Sequence, residues 1–151
     1  MKIPSRRNIL GGGLVMAGAV AGTTATAQSG PTKRVLWANG KKPDTPPMIS
    51  PAVSYGNLLF ISGAGAHFEG EIKAHTKAVL DQIEQQLVSS GSSMAKVLKC
   101  NVYLTDMRNF DGMNEVYLGR FGAEPPVRTT VGVATLPGKN ALIEIEVIAY
   151  I

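Results

Sequence analysis

The sequence has a single cysteine, Cys100, so no disulfide can form within the chain. Its neighbours are apolar and strand-like, which marks it as a small core residue and not a nucleophile. Histidine is nearly as scarce. His67 and His75 stand eight positions apart, with no cysteine or carboxylate beside them in a metal-ligand pattern, so no metal site is expected. Charged residues make up only 17% of the chain against 44% hydrophobic, the balance of a globular protein and not a disordered one. Acids are missing altogether from the first 27 residues, whereas Lys2, Arg6 and Arg7 lie there. The formal charge of +4 is therefore mostly a property of this leader: residues 28–151 hold 12 basic and 11 acidic side chains. A near-neutral body with no aromatic-basic patch argues against nucleic acid as a partner.

No apolar run is long enough to span a bilayer. The longest, from about Ile9 to Ala21, is short and interrupted by glycines. It is preceded by Ser5-Arg6-Arg7-Asn8-Ile9-Leu10 and followed by Ala25-Thr26-Ala27, an A-x-A cleavage pattern. The paired arginines and the mildly apolar segment resemble a twin-arginine export signal. Residues 1–27 are thus expected to be a signal peptide cleaved after Ala27. That would place the protein in the periplasm, in contact with the membrane only during export. An uncleaved tail is the alternative.

What remains reads as one domain. Residues 28–34 are polar and expected to be a disordered linker, with the domain covering 35–151. Strands are expected at Val35–Ala38 (closed by Asn39-Gly40), Leu58–Gly63, Val97–Leu104, Val127–Leu136 and Ala141–Tyr150, the last two joined by a Pro137–Asn140 turn. Ile72, Thr76, Val79, Leu80, Ile83 and Leu87 recur at three- and four-residue steps, which predicts a helix over Glu71–Leu87 that ends at Ser89-Ser90-Gly91. Phe110, Met113, Val116, Tyr117 and Phe121 predict a second over Phe110–Phe121, capped by Asn109 or Asp106. Two helices cover one face of a sheet of five or six strands, so the fold class is α+β, a two-layer sandwich. On the last strand Ile143, Ile145, Val147, Ala149 and Ile151 belong under the helices. Leu142, Glu144, Glu146, Ile148 and Tyr150 share the open side, and an apolar face with a few acids points to a homo-oligomer.

The candidate chemistry rests on charges in apolar strands, which are costly unless paired or used. Arg128 lies in VRTTVGVATL, on the same side as Thr130 and Gly132. Two readings stand: a structural salt bridge to Glu144 or Glu146 on a neighbouring strand, or a bidentate clamp for a substrate carboxylate. Asn114, near the start of the second helix, reads as a cap, a surface residue or a polar contact in a cleft. Ser62-Gly63-Ala64-Gly65 offers a hydroxyl and backbone N–H groups, or only a tight turn.

Taken in order, SPAVSYGNLLFISG, EGEIKAHTKAVLDQIEQQL, SSGSSMAKVLKCNVYLTDMRNFDGMNEVYLGRFG, PPVRTTV and LPGKNALIEIEVIAY resemble the RidA (YjgF/YER057c/UK114) family over about Ser50–Tyr150. The resemblance implies a chorismate-mutase-like fold and a homotrimer with clefts between subunits. It also implies hydrolysis of 2-iminopropanoate, 2-iminobutanoate and related imines, formed from reactive enamines, to 2-oxo acids and ammonia. No cofactor is implied. By the same resemblance Arg128 clamps the carboxylate, Glu144 holds or activates water, and Asn114 and Ser62 line the cleft. Where the family often carries PYSQA, this chain has Met48-Ile49-Ser50-Pro51-Ala52, so Ile49 stands in place of the cleft tyrosine. Thr130 stands where some members carry cysteine, and Ala64 replaces the glutamine of SGQ. The alternative function is a non-enzymatic trimer in the periplasm that binds a small carboxylate. A ribonuclease role, as some relatives have been described, gets little support from the near-neutral charge.

Overall fold

The computed structural model describes residues 30–37 and 40–151. The expected signal peptide, its cleavage site, Ala38 and Asn39 lie outside the described residues. The elements run β1 (Lys33–Leu36), β2 (Ala52–Tyr55), β3 (Leu58–Gly65), α1 (Ile72–Ser89), β4 (Val97–Leu104), α2 (Phe110–Tyr117), β5 (Val127–Gly132) and β6 (Ile143–Tyr150). The six strands form one mixed sheet in the order β1-β2-β3-β6-β4-β5, with both helices on one face. Only the β4–β5 pair is parallel. The architecture is the expected α+β two-layer sandwich.

Helix α1 supplies the upper half of the core. Val79, Leu80, Ile83 and Leu87 are fully buried against β3 and β6. Burial of each such side chain is worth about 1.5–3 kcal/mol. The helix stops where the sequence places it. Gly91 takes a positive φ of 81°, its N–H donates to Val88 C=O, and Ser92 N–H donates to Leu87 C=O at 2.8 Å. This double closure needs a residue that tolerates the left-handed region. His75, on the same helix, is a core residue: its Nε2 lies 2.9 Å from Phe68 O and its ring 4.5 Å from the Phe68 ring.

Several sequence expectations need correction. β2 was not among the expected strands. It pairs with β3 through a Gly56-Asn57 turn in which Gly56 has φ 61°, and the short GN signal between SY and LL is the hairpin cue. β1 begins at Lys33, so Lys33 and Arg34, expected in a disordered linker, pair with Tyr55 and Ser54. α2 ends at Tyr117, four residues early, because Leu118 leaves the helical region and Gly119 follows at φ 77°. Phe121 still reaches the core from the loop beyond. Asn109 makes no side-chain cap. Asp106 accepts from Arg108 N–H and caps the short 3-10 turn that leads into α2.

The largest correction concerns the last two strands. They do not form a hairpin. After β5 the chain crosses the end of β4, where Val133 N–H donates to Leu104 C=O and Thr105 N–H to Leu142 C=O. It then enters on the far side of β4, so β4 separates β5 from β6.

Strand β6 alternates as expected, with Ile143, Ile145, Val147 and Ala149 buried, but Ile151, expected with them, lies past the end of the strand and is exposed. Both of its neighbours carry a bulge opposite it. In β3 the register shifts between Ile61 and Ala64, and in β4 between Val97 and Lys99. The β4 bulge turns Val97 inward and Leu98 outward, the reverse of strict alternation. Cys100 is fully buried on the helix side, and burial pushes its thiol pKa up. The outer face exposes Tyr55, Leu58, Phe60, Leu98 and Tyr150.

Leu80→Ala removes a side chain with no exposed surface and should cost about 2–5 kcal/mol. Val88→Ala, at the exposed end of the same helix, should cost under about 0.5 kcal/mol. Urea unfolding of the two variants against the parent checks the contrast.

Candidate functional site

Arg128 sits on edge strand β5 in register with buried Cys100, so its side chain faces the helix layer. Its guanidinium carbon lies 4.6 Å from the centre of the Tyr117 ring and 5.7 Å from that of Phe110. Nη1 approaches Met113 Sδ at 3.9 Å. Among the described residues Arg128 makes no ion pair with a carboxylate. The salt bridge to Glu144 or Glu146 is not formed: β4 intervenes, and both glutamates point to the opposite face of the sheet. Aromatic faces hold the cation by their quadrupole without neutralising it. The positive charge therefore stays available to an anion.

A cavity of ≈ 500 Å³ opens beside it, lined by Asp111, Asn114, Glu115, Tyr117, Leu118 and Arg128. Asn114 lies in the second half of α2, not at its start, and its backbone C=O accepts from Leu118 N–H at 3.0 Å. Its side-chain amide is left to face the cavity. Thr130 shares the Arg128 side of β5, and its Oγ1 is buried without a hydrogen-bond partner. Tyr117 was expected only as a core residue. Its ring is the floor under Arg128, and its hydroxyl is buried beside the Cys100 thiol without forming a well-shaped hydrogen bond. Burial, above all, pushes its phenol pKa well up. The phenol is thus a neutral ring face across the working pH range. The signal that could have found it is the Phe110, Met113, Tyr117 spacing, which aligns three soft or aromatic side chains on one helix stripe.

The acidic residues lie elsewhere. Glu144 is half-buried on the open face, packed against the β3 bulge. A Cβ at Gly63 would collide with the Glu144 carboxylate, so a side chain here would push that carboxylate aside. Ser62 is the other residue of that bulge; its backbone N–H donates to Pro51 C=O at 3.0 Å. Glu146, one pleat on, is already engaged. Its Oε1 accepts from Asn101 Nδ2 and from Tyr103 Oη, each at 2.9 Å. That bond, first of all, raises the Tyr103 pKa. Among the described residues Glu144 accepts no side-chain hydrogen bond. Ile49 is 69% exposed on the approach to β2 and lies outside the lining of the Arg128 cavity.

Within one chain, then, Arg128, Asn114 and Thr130 gather on the helix side of the β5 edge. Glu144 and Ser62 gather on the open face across β3 and β6. The first group can bind and polarise a small carboxylate. The second offers a free carboxylate able to take a proton from water. Among the described residues no group of three or more His, Cys, Asp or Glu side chains could hold a metal ion.

A family model described as "Endoribonuclease L-PSP" matches residues 40–151. A RutC family protein of Pyrococcus horikoshii is 44% identical over 126 residues, 78% of this chain and 98% of its own length. The 2-iminobutanoate/2-iminopropanoate deaminase of Dermatophagoides farinae is 33% identical over 109 residues, 68% of this chain and 84% of its own. Among solved structures, RidA from the Antarctic bacterium Psychrobacter sp. superposes with a TM-score of 0.65 at 36% identity, over 74% of this chain and 94% of that one. The chain belongs to the RidA/YjgF family, the family of the Endoribonuclease L-PSP model.

Proposed function

We propose that this protein is an imine deaminase that hydrolyses reactive 2-imino acids to 2-oxo acids and ammonia. The observation that carries the reading is the Arg128 guanidinium: half-buried, unpaired, stacked on Tyr117 and facing a cavity with the Asn114 amide. A small carboxylate meets its planar fork with two parallel hydrogen bonds. Relatives named as a 2-iminobutanoate/2-iminopropanoate deaminase and as Reactive Intermediate Deaminase A support the reaction type.

Glu144 lies on the other face of the sheet, so the working site is assembled between copies of the chain. One copy contributes Arg128 and Asn114, and another contributes Glu144 with its Ser62-Gly63 bulge. The exposed Tyr55, Phe60 and Tyr150 on the open face suit a subunit seam, and the arrangement we favour is a homotrimer. In the reaction Arg128 draws electron density from the carbon of the protonated C=N bond. Glu144 takes a proton from water as the water oxygen bonds to that carbon. The resulting carbinolamine passes its hydroxyl proton to nitrogen, the C–N bond breaks to give the 2-oxo acid, and the departing ammonia takes up the proton held by Glu144, which restores the carboxylate. The protonated imine is already electrophilic, so these side chains suffice.

An RNA-cleaving role, which the family description evokes, has little support in a body with 12 basic and 11 acidic residues. Binding of a carboxylate without turnover is the alternative, and two variants separate the readings. Arg128→Ala should lower both turnover and 2-oxo acid binding, with kcat/KM down roughly 100-fold or more. Glu144→Gln should lower kcat by about 100-fold while 2-oxo acid binding persists. Ammonia release from freshly generated 2-iminopropanoate reads the first quantity and calorimetry the second. Near-parental rates in Arg128→Ala would sink the mechanism.

Gly63→Ala gives a finer check. The intruding methyl meets only side-chain atoms of Glu144 and no backbone, so the fold should survive while the carboxylate is displaced. Turnover in the same ammonia assay should fall by about tenfold or more, with the melting temperature little changed.

We also propose export, on the Arg6-Arg7 pair and the Ala25-Thr26-Ala27 pattern. Cell fractionation should find the protein in the periplasm with Gln28 as its first residue. Recovery in the cytoplasm with residue 1 or 2 at the N-terminus would refute this.

A further inference from the structure

The Arg128 cavity is large for a three-carbon imino acid, and it does not end at the arginine. A second cavity of ≈ 380 Å³ lies on the far side of Tyr117 and Leu118, lined also by Phe121, Ala123 and Pro125 together with two glycines. Tyr117 and Leu118 are common to both linings, so the two spaces adjoin across a shared wall. The character of the second is different from the first. It contains no charged side chain. Its walls are an aromatic ring, a branched aliphatic side chain, proline and alanine, the surface that recognises hydrocarbon.

The wall between the two spaces is also unusual. Leu118 is 83% exposed, immediately after the last turn of α2, where the backbone has already left the helix. A large aliphatic side chain held that far into solvent loses the burial that would stabilise it. Hydrocarbon laid against it would recover part of that loss. Two positive-φ glycines, Gly119 and Gly122, fold the following loop back so that Phe121 reaches the core. The loop thereby keeps its concave side open next to the clamp.

From this geometry we infer that the Tyr117–Pro125 loop is a side-chain subsite, and that the preferred substrates are 2-imino acids with a bulky apolar side chain, branched or aromatic. The carboxylate is held by Arg128, the reacting carbon lies over the Tyr117 edge, and the side chain rests in the apolar annex. The opposite preference, for a substrate with a distal cation, would rest on Asp111, because the other carboxylate lining the first cavity, Glu115, is paired with Lys73. The annex is the better-formed of the two. It is a cavity lined by several apolar groups, while Asp111 is a single exposed carboxylate.

This inference rests on the clamp role of Arg128, and binding of the stable 2-oxo acid products tests it without depending on turnover. Pyruvate, 4-methyl-2-oxopentanoate, phenylpyruvate and 5-guanidino-2-oxopentanoate are titrated into the mature protein, its Arg128→Ala variant and an Ala123→Phe variant that fills the annex from an exposed loop position. Hydrophobic pockets discriminate by roughly 10–200-fold per small change in apolar bulk. The expected result is at least tenfold tighter binding of phenylpyruvate and 4-methyl-2-oxopentanoate than of pyruvate, with the ratio falling toward one in Ala123→Phe. Equal affinities for all four acids, lost together in Arg128→Ala, would overturn the annex and leave the clamp standing. Tightest binding of the guanidino acid would overturn it in favour of Asp111. Affinities untouched by Arg128→Ala would overturn the clamp and the annex with it.

Discussion

Every second side chain of β6 is packed under the helices, and the residues between them carry or surround the acids. Ile143, Ile145 and Ala149 have no exposed surface and Val147 almost none. A slip of one residue would exchange this set for Glu144, Glu146, Ile148 and Tyr150. Two glutamates would then enter the core, each at a cost of several kcal/mol. The register of the central strand is therefore fixed by exclusion of charge as much as by burial of carbon. Because β6 lies between β3 and β4, its register sets theirs. Through β4 it also sets β5, and with it the direction in which Arg128 points.

Arg128 is stabilised without being neutralised. A carboxylate partner would hold the guanidinium firmly and would also compete with any anionic ligand. Tyr117 and Phe110 instead offer ring faces, and Met113 a polarisable sulfur. The contrast with Glu146 is instructive. That residue is tied to Asn101 and Tyr103 and serves the sheet. Glu144, two residues away on the same strand, has only the space left by a missing Cβ. Two acids of one short motif thus have different duties, one structural and one available.

Most of the fold could be read from periodicity. The α1 stripe, the β6 alternation and the Gly91 stop all follow from local sequence, because each rests on contacts within one element or one layer. The failures have a common physical origin in long-range pairing. Nothing local in VRTTVG says that β5 will join β4 in parallel, and the Pro137–Asn140 segment has the composition of a hairpin turn while serving as a crossover. That one misreading placed Arg128 beside Glu144 and invited a salt bridge. Bulges are equally silent in a single sequence: strict alternation along β4 would set Val97 outward and Leu98 inward, the reverse of what forms. Of the site, the charged residues were legible because charges in apolar strands are rare. Tyr117 was not, because an aromatic on a helix stripe looks like any other core residue until the arginine is seen lying on it.

The Ser62-Gly63 bulge can be viewed as a phase shifter. Along β3 and the residue that follows it, the inward positions are Leu59 and Ile61 before the bulge, and Ala64 and Ala66 after it. Were the same residues strung without a bulge, strict alternation would carry Gly63 and Gly65 to the helix side and turn both alanines to solvent. The same additional residue places glycine, and hence open volume, against Glu144. Deleting one residue there would restore plain alternation with both alanines still inward, so packing of the core alone does not call for the bulge. The additional residue therefore serves the open face: it lets the strand carry a glycine against the Glu144 carboxylate while the core keeps its own phase.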